Sequence, residues 1–505
     1  MKRLRKLRPV LLVPLFVALL CGVALAASPR GEVLQDGWYA LYLAGQKAGW
    51  HHVRSVRSEW RERKVVNTTL HQEIAVSRAG VTIEMATDTT VVETPDGRVL
   101  AFEQKITQGP TKRAVRGEVS GQQMEVKTST GGGQSTRTVP APRGLGPWAE
   151  RRLRLEKGFE PGTTYAAKVF APEAPGRDVS MELTVGPEES VQIYEVEKDL
   201  HRLEVTYSIL PGVVTREWMD EDGTSWLAEM APGPGLKIEM RRAPEELATA
   251  PSAPAELLAS SYVVPDRALA RPRALEKLRV AISPKKPDYS LPEPPESAGQ
   301  KVERAADGGL RLSVRRVGPP DSAGYELPYR GSRYAPLLQS NSWLELEDET
   351  VQRLTRRAVG ETADPVVAAR RIESFVAGHI EEKNLSLGMA TAAETARQMR
   401  GDCTEHAVLT AAMARAAGIP SRVVGGLVYA QFLPGARSGG FGYHMWTEVY
   451  VGEWYPLDAA LGGHDATHLA LFQSDLNNTG NMVEMSGRIV QFLGRIEIRV
   501  LEAQP

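Results

Sequence analysis

The sequence predicts a multidomain protein, with an N-terminal β-rich antiparallel sheet domain followed by a C-terminal α+β domain. Three observations carry this reading. The chain has 505 residues, more than one ordinary domain of roughly 100–200 residues holds. Short β-prone runs punctuated by turn signals fill its first part, and helical periodicity followed by strands fills the last. Between them, residues 248–300 are enriched in Pro, Ala and Ser, a linker composition.

Taking the elements in order, Lys2, Arg3, Arg5, Lys6 and Arg8 precede an apolar run from Val10 to Ala24, and Ala24-Leu25-Ala26 supplies a small-x-small cleavage pattern. Residues 1–26 are therefore expected to be an export signal, placing the mature protein in the periplasm or outside the cell. An uncleaved anchor is the alternative, since the run approaches the ~20 apolar residues that span a bilayer. Ala18 and Leu20 do not suit lipidation of Cys21. No later segment is long and apolar enough for an integral span.

Over residues 31–247, runs such as 38–43, 81–85, 89–93 and 203–207 read as strands, with Asp96-Gly97 and Asp222-Gly223 as turns. The Gly131-Gly132-Gly133 cluster reads as a loop tip, because no phosphate-loop spacing surrounds it. The linker 248–300 carries extended pieces, with strand character at 278–282, and 309–317 is a further strand. Residues 301–505 form the expected C-terminal domain. Helices are expected over 348–359 and 364–380, the second announced by Asp364-Pro365. A third runs from Cys403 to Ala417, with Asp402 as N-cap, Glu405 in its first turn and Gly418 as its stop. Strands over 422–430, 443–451 and 454–458 follow, which is an α+β order.

Lys and Arg number 61 against 62 Asp and Glu, so no basic surplus points to nucleic acid. The chemistry lies elsewhere. Once the signal is removed, Cys403 is the sole cysteine, and an exported chain then has no internal disulfide partner for it. It is either a small buried apolar residue or a nucleophile, and position alone leaves both open. At a helix start, unpaired N–H groups and the macrodipole favour the thiolate, and the Cys403 N–H can meet an oxyanion formed at its own sulfur.

His444 and Asp458 favour the nucleophile. They lie on two strands joined around Gly452, so the carboxylate can orient the imidazole while its other nitrogen takes the thiol proton. Register decides whether they meet. A two-residue turn at Gly452-Glu453 would set Asp458 opposite Thr447, facing away from His444. A three-residue loop, Val451-Gly452-Glu453, or one bulge sets it opposite Trp446 on the shared face.

Gly401-x-Cys403 leading an Ala-rich helix, Gly418-Ile419-Pro420-Ser421-Arg422-Val423-Val424-Gly425-Gly426, His444-x-Trp446-x-Glu448-Val449 and Trp454-x-Pro456-x-Asp458 together resemble the transglutaminase-like superfamily, over about residues 337–471. The resemblance implies a papain-like core in which Cys403 attacks an amide carbonyl, His444 shuttles the proton and Asp458 orients His444. The expected activity is that of a cofactor-free cysteine acyltransferase, peptidase or amidase acting on protein or peptide substrates. The rival expectation keeps the fold without catalysis, as a scaffold whose N-terminal sheet binds a cell-envelope component. His406, one turn beyond Cys403, reads as structural, because no carboxylate is placed for it. Glu405 reads as a cap or a frame for the site. Asp402, His464, Asp465 and His468 lack the spacing of a strong metal motif, so no metal is expected. Trp446 and Trp454 read as core, with an acyl-pocket wall as the alternative. No DxDxDG calcium loop is present.

Overall fold

The computed structural model describes residues 31–78, 81–131, 133–233, 236–256, 262–287, 289–383, 389–432, 439–477, 488–489 and 491–505. The expected export signal, with Cys21, lies outside them. Two compact units result, one holding residues 31–129 and 134–256, the other 262–505 with 130–133.

The first unit is a single antiparallel sheet made of two meanders. One comprises β1 (Glu32–Leu43), β2 (Gln46–Trp60), β3 (Arg63–Arg78), β4 (Val81–Glu93), β5 (Val99–Gln108), β6 (Thr111–Ser120), β7 (Gln123–Ser129) and β8 (Gln134–Pro140). The other comprises β9 (Thr164–Val169), β10 (Val179–Ile193), β11 (Val196–Tyr207), β12 (Val214–Met219), β13 (Ser225–Gly233) and β14 (Leu236–Ala243). Pairing of β1 with β14 joins them, giving the order β8 to β1 and then β14 to β9. Leu145 bridges both Arg98, beside β5, and Val169, the end of β9. Phe170 packs edge-on against Phe102, with centroids 5.2 Å apart. The β9 end is thus tied back toward β5, which covers a core of Leu70, Val91, Phe102, Val115, Met124 and Phe170. The sheet itself stays open, with β8 and β9 as its two edges.

One element in this half has no counterpart in the sequence reading, the helix α1 (Pro147–Lys157). Its first N–H groups, those of Trp148 and Ala149, donate to the Glu93 carboxylate at 3.1 and 2.9 Å. A carboxylate from a strand therefore does the work of a local N-cap. A short helix α2 (Glu245–Thr249) and a two-residue strand β15 (Ala255–Glu256), parallel to β3, complete this unit.

The second unit holds two sheets. The strands β16 (Tyr262–Val263), β20 (Ser421–Ala430), β21 (Gly440–Tyr450), β22 (Trp454–Leu457) and β23 (Leu469–Ser474) form one, ordered β16-β21-β20-β23 with β22 on β21. The other is β18 (Gln300–Arg304), β19 (Leu310–Arg315), β17 (Lys277–Pro284) and β24 (Ile496–Gln504), in that order. Four helices pack with them: α3 (Glu349–Val359), α4 (Pro365–His379), α5 (Ala392–Gln398) and α6 (Cys403–Ala416). Asp348 and Asp364 cap α3 and α4 through two N–H groups each, as their sequence positions predict.

β17 falls inside the stretch read as linker, yet it occupies the middle of its sheet, pairing with β19 on one side and β24 on the other. Leu278, Val280 and Ile282 are fully buried. A fragment beginning at Gln300 would remove this central strand and strip both neighbours of their partners. Such a fragment is expected to be insoluble or molten, whereas one beginning near residue 257 should unfold cooperatively. Thermal denaturation followed by circular dichroism distinguishes them.

Candidate active site

α6 begins at Cys403 because the residues before it close off its first turn. The Asp402 side chain accepts the Thr404 N–H at 2.7 Å, and Glu405 reaches back to the Asp402 N–H at 2.9 Å, a reciprocal capping box. Gly401 has φ +151°, and a Cβ there would stand 2.4 Å from the Glu405 side chain. The glycine two places before the cysteine is thus what lets Glu405 fold back. Two side chains then fix the helix on the sheet. Thr447 Oγ1 donates to the Ala407 carbonyl at 2.8 Å, and Ser421 Oγ to the Ala411 carbonyl at 2.9 Å.

Cys403 is buried, and its thiol faces the backbone amide of Met445 on β21, the residue after His444. Burial pushes the thiol well above its usual pKa; Asp402, Glu405 and Asp458 push the same way, while the Met445 amide opposes them. The expectation of a thiolate favoured by the helix start is therefore corrected. That argument counted the partial charge of the backbone alone, whereas the fold gathers three carboxyl groups around the sulfur. Around the resting thiol the fold favours the protonated form.

His444 and Asp458 meet directly, His444 Nε2 lying 2.7 Å from Asp458 Oδ2 in a buried pair. The hairpin register explains why. Tyr450 pairs with Trp454 and Thr447 with Leu457, so the loop is the three-residue Val451-Gly452-Glu453, and Asp458 emerges on the face of His444. Gly452 takes φ +89° in that loop, and a Cβ there would meet the Ala323 carbonyl at 2.6 Å. Because the carboxylate accepts from Nε2, the tautomer leaves Nδ1 as the proton-accepting nitrogen.

Asp458 is held from every side. Its Oδ1 accepts the Ala460 and Leu461 N–H groups at 3.0 and 3.1 Å, and its own N–H donates to Glu373 Oε1 at 2.7 Å. Its Oδ2 also takes a second imidazole, His468 Nε2, at 2.9 Å. Burial alone would raise its pKa, but His444 and His468 outweigh burial and hold it well below the usual carboxylate range. Glu373, by contrast, is pushed up to about 7 by burial, with the negative Asp458 adding to the effect.

Glu373 and His468 were not assigned to this site from sequence. His468 stood there only as a weak metal candidate, and the one signal for Glu373 is a lone acid within the apolar run of α4. Among the described residues, His444, Asp458 and His468 form the group whose ligand-type atoms lie within 4.8 Å of one another. Each of those atoms is engaged in the two hydrogen bonds at Asp458 Oδ2.

The remaining candidates fall into structural surroundings of their own or line the site. His406 is buried, its Nδ1 bonds the Asp402 carbonyl at 2.5 Å, and burial brings it down to about 4, so it stays neutral. His406→Gln is expected to leave turnover within about threefold of the parent while lowering stability by about 1 kcal/mol; steady-state kinetics and thermal melts of the one variant check both. Trp446 is buried against the rings of His444 and His468, with centroids 6.3 and 5.2 Å away. Trp454 belongs instead to a cluster with Tyr334 and Tyr450 under the Arg422 guanidinium. Glu448, fully buried, accepts Arg422 at 2.7 Å and the Ala298 N–H at 2.9 Å, pinning the segment before β18 to the site strands.

The family model of the transglutaminase-like superfamily matches residues 352–459. No match was found among curated proteins. Among solved structures, a β-barrel-like protein of a domain of unknown function from Brucella abortus aligns at TM-score 0.33 and 13% identity, over 43% of this chain and 98% of that one. A candidate cysteine protease from Cytophaga hutchinsonii aligns at 0.29 and 14%, over 43% and 78%. The periplasmic domain of TgpA from Pseudomonas aeruginosa, bound to ethylmercury, aligns at 0.27 and 17%, over 45% and 80%. The matched stretch brackets Cys403, His444 and Asp458, and the chain thus carries a domain of the transglutaminase-like superfamily.

Proposed function

We propose that the protein is an exported, cysteine-dependent acyltransferase or hydrolase acting on amide bonds of protein or peptide substrates. Cys403 is the nucleophile, His444 the base and Asp458 its orienter. The observation that carries the reading is the buried 2.7 Å contact between His444 and Asp458, next to a strand amide that faces the Cys403 thiol. His444 Nδ1 takes the thiol proton as sulfur attacks the carbonyl carbon. The Cys403 N–H meets the developing oxyanion, and the intermediate collapses by expelling ammonia or an amine that leaves with the proton from His444. Water or an amine then resolves the thioester, giving deamidation or cleavage in the first case and cross-linking in the second. Export is argued from residues 1–26, and no helix among the described residues is long and apolar enough to cross a membrane.

The test exposes the full chain to a glutamine-containing peptide library with and without a primary amine, and follows ammonia release, cleavage and amine incorporation by mass spectrometry. One of the three should occur and disappear on alkylation of Cys403. Absence of all three, together with a Cys403 that alkylates no faster in the parent than in His444→Ala, would defeat the proposal.

A further inference from the structure

We propose that Glu373 is a positioning residue, which together with Lys383 ties the turn carrying Asp458 to the elements carrying Cys403 and so sets where the base stands relative to the thiol. This rests on the reading of Cys403, His444 and Asp458 as a triad. Glu373 is an acid at the edge of the apolar stripe of α4. Ala369 lies four residues before it and Val376 three after, and both are buried, so helical spacing carries the carboxyl toward the packed side. A carboxyl brought in there is costly unless something donates to it. The donor is the Asp458 N–H, 2.7 Å from Glu373 Oε1.

That N–H needs an acceptor from outside its own hairpin. β22 ends at Leu457, opposite Thr447, so the Asp458 amide is the first one past the ladder. Beyond it the chain folds on itself. The Asp458 carbonyl accepts the Gly462 and Gly463 N–H groups at 3.0 and 2.9 Å, and Oδ1 accepts those of Ala460 and Leu461. The turn is closed by its own hydrogen bonds, so its contacts with neighbouring elements decide where the carboxylate that meets His444 stands. Glu373 supplies one such contact from α4. Lys383 supplies another, its Nζ donating to the Ala460 carbonyl at 3.3 Å.

Both ties lead back to the nucleophile. α4 packs against α6, the helix that Cys403 opens. The backbone just before Lys383 is laced to the residues leading into α6, Glu381 N–H donating to the Met399 carbonyl at 2.9 Å and Gly401 N–H to the Glu382 carbonyl at 3.0 Å. Cys403 thus stands on the helical elements, while His444 lies on β21 and Asp458 just past β22. The two ties cross between these groups. Losing the Glu373 acceptor frees the turn to shift, and a displacement of about 1 Å costs up to about 10²-fold in rate. The Asp458 N–H requires an oxygen at that place and not a charge, so a glutamine serves as well as the acid.

The experiment follows amide hydrogen exchange at Asp458 by NMR and the rate of Cys403 alkylation by iodoacetamide in the full chain, with His444→Ala as the slow reference. Glu373→Leu should speed the exchange and slow the alkylation about tenfold each, with circular dichroism unchanged. Glu373→Gln, whose amide oxygen still accepts, should stay within about threefold of the parent in both. Lys383→Met, at an exposed position, should slow alkylation by about twofold to threefold. In an Asp458→Ala background no carboxylate is left to place, so adding Glu373→Leu should slow alkylation no further, an outcome that a general loss of stability does not produce. Unchanged exchange in Glu373→Leu, unchanged alkylation there while the parent outpaces His444→Ala, or a fully additive double variant would each overturn the proposal. Should Glu373→Leu fail to fold, Lys383→Met decides, and a parental alkylation rate in it is then the overturning result. A parent that alkylates no faster than His444→Ala, with Asp458 exchange responding as expected, would instead uphold the tie and sink the triad reading.

Discussion

His444→Ala is expected to lower turnover of any amide substrate by about a thousandfold or more, and Cys403→Ala to abolish it, with little change in the melting temperature of either. The size of the His444 effect follows from the state of the sulfur. Burial, with Asp402 adding to it, pushes the thiol toward its protonated form, so the attack depends on a base to take the proton. The same variant should therefore also lose reactivity toward a small electrophile, which a site with a preformed thiolate would retain. Asp458→Asn should lose less, because the amide oxygen can still accept from His444 Nε2. Single-turnover rates on a fluorogenic amide, with circular dichroism as the control for folding, measure the series. A His444→Ala protein that turns over like the parent would remove His444 from the mechanism.

Gly426→Ala is expected to destabilise the second unit by about 3 kcal/mol or more, enough to unfold a marginal domain. A Cβ at this position would lie 1.9 Å from the Leu469 carbonyl oxygen and 3.0 Å from the Ala470 Cα. Both are backbone of β23, the strand paired with β20 at this point, so no side chain can rotate away and the two strands must separate. Leu469 follows directly on His468, and the damage would therefore also pull at the Asp458 carboxylate. The neighbouring Gly425→Ala should be less severe. Its Cβ meets the Phe472 ring, which can turn aside at the expense of packing. Differential scanning calorimetry ranks the two, and a Gly426→Ala melting temperature within two degrees of the parent would contradict the steric argument.

Local signals account for what the sequence revealed. Asp348, Asp364 and Asp402 are caps whose partners lie two or three residues on, and counting along one hairpin left two registers for His444 and Asp458, of which the three-residue loop is the one formed. What stayed hidden depends on distant residues. α1 lacks an apolar stripe because one of its buried side chains is Arg154, paired with Glu150 and Glu217 at 2.6 Å each, so no hydrophobic period marks it. Glu373 and His468 become part of the site only when α4 and the 464–468 loop close around Asp458. The raised thiol pKa comes chiefly from burial, which only the assembled fold supplies, with the adjacent Asp402 next in weight. The strand at 278–282 was legible by composition, but its place at the centre of a sheet needed its β24 partner, more than 200 positions further on.

That last pairing bears on timing. Ile282 sits opposite Ile498, so the sheet built on β17 cannot be completed until residues 496–504 have been synthesised and have found a strand made long before. A polypeptide lengthening from its N-terminus would hold β17 and β19 as an open-edged pair for most of that interval. Closing so long a loop is slow, which gives the chain a period in which this unit is unfinished. The last strand then acts as a latch, and removing residues 496–504 should leave a protein that is made but never shut.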